Sequence, residues 1–342
     1  MWEKALRDYI KSNKFFNDGK DSLIPLGHDL SFAPYLYSRF KNLKTYLEGI
    51  NNTLKNQREN NYWPFSEENE LSKEFNLKFP LFQGPMANIS DNPAFAEEIS
   101  SKGAFPVIAL GHMTEKEAEK VILSFEEKLK DIYPYGCGII GLSVNQERYE
   151  EHLKLIEKYR PDAVWIAGGS VELAGRIKKL NIPVFLHTPF AEIFKSALTN
   201  DVYAMILEGN ECGGHTGILS SFVLWESVLE YLDTIRNDLK KKVKILFAGG
   251  LGTSISSAIL ASIISLHKDI ITPAIQLGTS YMFTKEIIET GSLSDVFQEL
   301  LLANKDTKIT GSTVNLRARV LPTSCAYKTL EKIGRASCRE RV

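Results

Sequence analysis

From Lys78 onward the chain alternates short apolar runs with amphipathic stretches. Eight runs read as strands: Phe79 to Gln83, Phe105 to Leu110, Gly136 to Leu142, Ala163 to Ala167, Pro183 to His187, Ala204 to Glu208, Lys244 to Ala248 and Ala274 to Leu277. Each is mainly apolar, as expected of a parallel strand covered on both faces. Between them apolar residues recur at helical spacing. Ala118, Val121, Ile122, Phe125 and Leu129 share one face of a helix predicted over 115–130, and Tyr149, Leu153, Ile156 and Tyr159 share one over 146–159. Eight successive βα units predict an α/β fold, a (β/α)8 TIM barrel over 78–330; a doubly wound open sheet is the competing arrangement, because the pattern does not reveal closure. Residues 1–77 differ in being aromatic and charged, with a helical patch from Leu36 to Leu54 and a polar stretch from Lys55 to Asn76. They read as an N-terminal helical extension packed on the barrel or leading into it.

Composition narrows the function classes. The 342 residues carry 41 basic and 42 acidic side chains and are 44% hydrophobic, an ordinary soluble balance. Such a chain has no basic field to collect nucleic-acid or membrane phosphates. No apolar run approaches the roughly 18 to 20 residues that span a bilayer. Four scattered cysteines suit a reducing compartment, so a cytoplasmic protein is expected. The last eleven residues, 332–342, switch abruptly to an Arg-rich string that resembles the translation of a sequencing adapter, so they are expected not to be native. Removing their four basic side chains and one acid from 41 and 42 leaves a net charge of −4.

In a (β/α)8 barrel the chemistry gathers at the C-terminal tips of the strands. The first tip is Gln83-Gly84-Pro85-Met86-Ala87. The sixth carries Glu208-Gly209-Asn210-Glu211-Cys212-Gly213-Gly214-His215-Thr216-Gly217, the seventh Gly249-Gly250-Leu251-Gly252 and the eighth Gly278-Thr279. Glycines at tips seven and eight, just before helices, let backbone N–H groups approach a phosphate unobstructed.

In this order and spacing the tips resemble the FMN-binding barrel of the nitronate monooxygenase (2-nitropropane dioxygenase) family, which includes flavin-dependent enoyl reductases. The stretches Glu208 to Glu226 and Gln276 to Thr284 are more similar still to the branch found in polyketide and polyunsaturated fatty-acid synthases. The resemblance implies an FMN-dependent oxidoreductase. Gly249, Gly250, Gly278 and Thr279 would hold the FMN phosphate, Gln83, Gly84, Pro85, Met86 and Ala87 would lie along the flavin ring, and Glu208, Gly213 and Gly214 would complete the cofactor site. His215 would be the acid or base beside the flavin, with His187 and Glu211 facing substrate. The implied reaction is reduction of an enoyl group on a CoA or carrier-protein thioester, with NAD(P)H as electron donor and synthase domains fused or associated. The alternatives are oxidation of alkyl nitronates by oxygen and a non-catalytic flavin-binding domain. The chain departs from simple nitronate monooxygenases at Glu208, where they carry Gln, and at Glu211-Cys212, where they carry Glu-Ala.

Two other patterns carry less. Gly136-Cys137-Gly138-Ile139-Ile140-Gly141 matches G-x-G-x-x-G but lies inside a strand, whereas a dinucleotide fingerprint sits between strand and helix. Cys212 and His215 have C-x-x-H spacing with no second ligand pair, so no metal is expected.

Overall fold

The computed structural model describes residues 33–40, 42–58, 62–142, 146–311 and 317–323. The adapter-like string at 332–342 lies outside them. Eight parallel strands follow the chain as β1 (Leu81–Gln83), β2 (Val107–Ala109), β3 (Gly136–Ile140), β4 (Ala163–Ala167), β5 (Val184–His187), β6 (Ala204–Glu208), β8 (Val243–Ala248) and β9 (Ile271–Leu277). The intervening β7 is Gly214–His215, and β10 (Lys308–Thr310) and β11 (Ala318–Val320) follow the barrel. The sheet runs β1-β9-β8-β6-β5-β4-β3-β2. It closes where Phe82 bridges Phe105, with Phe105 N–H donating to Leu81 O and Gln83 N–H to Phe105 O. Closure decides for the (β/α)8 TIM barrel over the open sheet.

Strand alternation sorts the core into two layers. Phe82, Phe105, Val107, Trp165, Phe185, Ile206, Leu246 and Ala274 pack together inside the barrel. Their neighbours in sequence, among them Ile108, Val164, Leu186, Met205, Ile245 and Ile275, face outward under the helices. The interior is aromatic at its middle, where Trp165 and Phe185 stack with centroids 4.1 Å apart. Trp165 Nε1–H donates to Gln276 Oε1 at 2.8 Å, which satisfies the indole inside the barrel.

The segment just before β1 closes the N-terminal end of the barrel. Asn69 caps the short helix Glu70–Glu74 and also donates through its amide to Pro273 O at 2.8 Å. Leu71, Phe75 and Leu77 then enter the interior cluster. Thr272 donates to Glu70 and Lys244 to Glu74, tying the plug to β9 and β8. Further upstream the predicted helical patch is two helices, Ala33–Phe40 and Leu43–Arg58, the second begun by Asn42, whose side chain accepts from Thr45 N–H at 3.0 Å.

Observed β9 starts three residues earlier than its sequence pattern, because the run contains Pro273. A proline in a central strand normally breaks a ladder bond. Here Ile275 N–H donates to Pro80 O, so alternate residues of β9 turn to the β1 side, and at Pro273 that side lies before β1 begins. The missing N–H therefore costs no bond with β1.

Candidate active site

The barrel mouth is assembled from four strand tips and one flanking sheet. At the tip of β1, Gly84 N–H donates to Leu277 O at 2.7 Å, so the loop crosses onto β9. Pro85 rests on Gly138 of β3, where a Cβ would come within 2.7 Å of the proline ring. Met86 is fixed by Ser90: its N–H donates to Ser90 Oγ at 2.9 Å, and that hydroxyl donates back to Met86 O. The backbone from Gln83 to Met86 is thus held rigidly along one side of the mouth, with Ala87 exposed beyond it. Gln83 accepts from Val107 N–H through Oε1, while its buried Nε2 has no partner among the described residues.

The glycines of tips seven and eight fall into two kinds. Gly249 has φ +97°, and a Cβ there would come within 2.4 Å of Ser221 Oγ and 3.0 Å of Cys212 Sγ, so the protein itself demands glycine. At Gly250 and Gly278 a Cβ would meet nothing nearer than Glu211 at 3.7 Å and Met86 Sδ at 3.6 Å, respectively. At Gly250 the backbone itself, at φ +70°, favours glycine, whereas at Gly278 an added Cβ would make only an ordinary van der Waals contact. Gly213 closes the group, since a Cβ on it would lie 3.3 Å from Thr279 Oγ1. Gly213, Gly250, Gly278, Thr279 and Met86 therefore surround one open cradle.

The loop after β6 carries His215. It is pinched at its neck, where Asn210 N–H donates to Leu219 O at 2.8 Å, and Thr216 Oγ donates to Gly209 O at 3.0 Å. Gly214 and His215 form β7, which pairs antiparallel with β11, which in turn pairs with β10. Arg319 on β11 donates through Nε and Nη2 to Asn210 O at 2.9 and 2.6 Å, clamping the hairpin to the loop. Two- and three-residue strands leave no periodicity to read, so this sheet has no local signature in the sequence. The His215 ring is exposed at the mouth.

Three further expectations are located by the structure. Glu211 turns its carboxylate to Ser221, accepting from the N–H and hydroxyl at 2.7 Å each at the start of the helix Ser221–Thr234. Glu208 turns to the His187 imidazole. Cys212 is buried, and burial, reinforced by the carboxylates of Glu208 and Glu211, pushes its thiol well above the usual range; a neutral thiol is a poor nucleophile. Among the described residues no cluster of His, Cys, Asp or Glu could hold a metal ion, and no helix is long and apolar enough to cross a membrane.

A search of protein-family profiles finds no match. Among curated proteins the chain is 23% identical over 266 residues, 77% of this chain and 68% of the relative, to (3aS,4S,5R,7aS)-5-hydroxy-7a-methyl-1-oxo-octahydro-1H-indene-4-carboxyl-CoA dehydrogenase of Rhodococcus jostii. Among solved structures it is similar to FabK from Thermotoga maritima, with TM-score 0.62, 22% identity, and 77% of this chain and 78% of that chain covered. It is also similar to the enoyl reductase domain of MlnA from the macrolactin biosynthesis cluster of Bacillus amyloliquefaciens, with TM-score 0.60, 16% identity, and 79% and 70% covered. The nitroalkane oxidase of Streptomyces ansochromogenes superposes with TM-score 0.56 at 18% identity, covering 73% and 78%. At these identities the superpositions establish a shared barrel fold.

Proposed function

We propose that this chain is an FMN-dependent oxidoreductase of the nitronate monooxygenase type that reduces an enoyl group on an acyl thioester. The observation that carries the proposal is the open cradle at Gly250 and Gly278, facing the fixed Gln83–Met86 backbone beneath the His215 loop. An orphaned amide on Gln83, and the lack of any close protein contact in front of Gly250 and Gly278, fit a flavin phosphate and ring. The names of similar proteins support the substrate class: one acts on a carboxyl-CoA, another is an enoyl reductase domain.

When bound, FMN supplies the hydride chemistry, taken from NAD(P)H and passed to the β-carbon of the enoyl thioester. The chain supplies the rest. Gly250, Gly278 and Thr279 would hold the phosphate through backbone groups, and Gln83 to Met86 would line the flavin ring. His215 places a proton on the substrate α-carbon, directly or through a water it holds, an imidazole being able to act as proton donor or acceptor. Acyl substrates held as CoA or carrier-protein thioesters enter past the exposed His215 loop. Association with synthase domains belongs to the same proposal, as does a cytoplasmic location.

Two measurements check it. The folded protein is expected to release stoichiometric FMN on denaturation, identified by chromatography, and to consume NAD(P)H only when an enoyl thioester is present. Stoichiometric FAD, or colourless protein indifferent to added FMN, would remove the cofactor assignment. Oxygen uptake dependent on an alkyl nitronate, without enoyl reduction, would replace the reaction.

The cradle is tested separately. Gly278→Val places its side chain in space that no protein atom fills closer than Met86 Sδ at 3.6 Å. Its backbone, at φ −124° and ψ −80°, lies outside the main helical and extended basins, so Gly278→Ala is made alongside it and the melting temperature of each flavin-free variant reports whether the fold holds. FMN affinity is expected to fall at least tenfold, about 1.4 kcal/mol, with the melting temperature of the flavin-free protein unchanged. Wild-type affinity in the folded variant would place the phosphate elsewhere.

A further inference from the structure

The barrel mouth holds a second imidazole. His187 ends β5 and is only 8% exposed, and its Nδ1 meets Oε2 of Glu208 on neighbouring β6. In the strand register His187 lies level with Ile206, so Glu208 stands one pleat nearer the mouth and holds the ring from above. Its other nitrogen, Nε2, is buried and has no partner among the described residues. Leaving a buried polar atom unsatisfied is destabilising, and an apolar side chain at this position would have avoided that cost.

Strand order separates this pair from the cofactor. Gly250, Gly278 and the Gln83–Met86 loop occupy the adjacent tips of β8, β9 and β1, with Gly213 reaching them from the loop after β6, whereas the His187 and Glu208 side chains stand on β5 and β6. The pair faces the part of the mouth left for the other reactant. With the pair taken as carboxylate and imidazolium, Nδ1–H is given to Glu208 and Nε2–H is free to donate. On an acyl thioester the strong acceptor is the carbonyl oxygen, conjugated with the reacting double bond.

We propose that His187, oriented by Glu208, donates its Nε2–H to the carbonyl oxygen of the bound acyl thioester and stabilises the negative charge that develops there. The proposal rests on the enoyl-reduction reading above. A hydride from the reduced flavin forms the new C–H bond at the β-carbon, and the π electrons of the double bond move onto the carbonyl oxygen as an enolate. His187 shares its proton with that oxygen without losing it. The enolate then collapses to the thioester as the α-carbon takes a proton from His215 or its water, so one hydride and one proton are added and NAD(P)H restores the reductant. Two imidazoles thus divide the work, His187 on the oxygen and His215 on the carbon, with Glu208 as a positioning residue.

The test uses the oxidised FMN holoenzyme, which binds an enoyl thioester without reducing it. Crotonyl-CoA and 2-octenoyl-CoA labelled with 13C at the carbonyl are bound, and the carbonyl stretch is isolated by isotope-edited infrared spectroscopy. The band is expected below its position in water for the wild type and for His215→Asn, and back near the free position for His187→Asn. Glu208→Gln, which keeps the shape of the site, is expected to lose part of the shift, and it carries the test if His187→Asn does not fold. In stopped flow, reoxidation of reduced enzyme by the enoyl thioester should slow about 10²- to 10³-fold in His187→Asn, the usual loss for one oxyanion donor, while reduction by NAD(P)H is unchanged. A carbonyl band that neither His187→Asn nor Glu208→Gln moves, in an enzyme that reduces the thioester, overturns the proposal alone. A wild type that neither binds nor reduces either thioester overturns the enoyl reading and the proposal with it.

Discussion

His215→Asn is expected to lower enoyl-thioester turnover by about 10² to 10⁴, the usual span for loss of a general acid or base, while FMN stays bound. The structure separates the two properties. The ring of His215 is exposed on β7, whereas the cradle is built from Gly213, Gly250, Gly278 and Thr279, none of which depends on that side chain. The loop is held by Asn210, Thr216 and Arg319, so Asn at 215 can keep the β7–β11 pairing, which uses backbone alone. The loss should therefore fall on kcat and on reoxidation of the flavin by the enoyl substrate more than on its reduction by NAD(P)H. Stopped-flow measurement of each half-reaction decides it. A variant that retains FMN and turns over at the wild-type rate would leave solvent as the proton source.

The arrangement explains which parts of the molecule could be read in advance. All eight barrel strands were legible, because each lies in a mainly apolar run bounded by amphipathic helices. The glycine tips were legible because they carry their signal locally. What escaped was long-range: the β7–β11–β10 sheet joins residues 214–215 to 318–320 across about a hundred positions, and no local pattern announces such a pairing. The His187–Glu208 pair escaped in the same way. Each residue was visible at its own strand tip, but only adjacency of β5 and β6 in the closed barrel turns two candidates into one hydrogen-bonded unit. Glu211 shows the converse. Its place in the motif suggested substrate contact, while the helix beginning at Ser221 draws its carboxylate to two donors instead, as a helix N-terminus does for any nearby anion.

The polar stretch before β1 hides the residue with the largest expected effect on stability. Between the charges of 66–74 and Asn76 stands Phe75, and its ring is buried at the closed end of the barrel. It meets Phe105, Phe82 and Tyr203 edge-on at centroid distances of 5.1, 6.1 and 6.3 Å, and Phe185 at a tilt at 6.1 Å. Removing a ring from such a cluster forfeits both its burial and these quadrupolar contacts, and the strands around it cannot collapse because their ladders fix the barrel radius. Phe75→Ala should accordingly cost about 3–5 kcal/mol. At about 2–4 °C per kcal/mol for a domain of this size, the melting temperature should fall by roughly 6–20 °C. FMN binding by the folded fraction should be unchanged, since the cradle lies at the opposite end of the strands. Chemical denaturation of the wild type and the variant measures the difference. A loss under about 1 kcal/mol, the level of an ordinary exposed site, would mean that residues 62–77 are an appendage, and that β1 to β9 close their own N-terminal end without them.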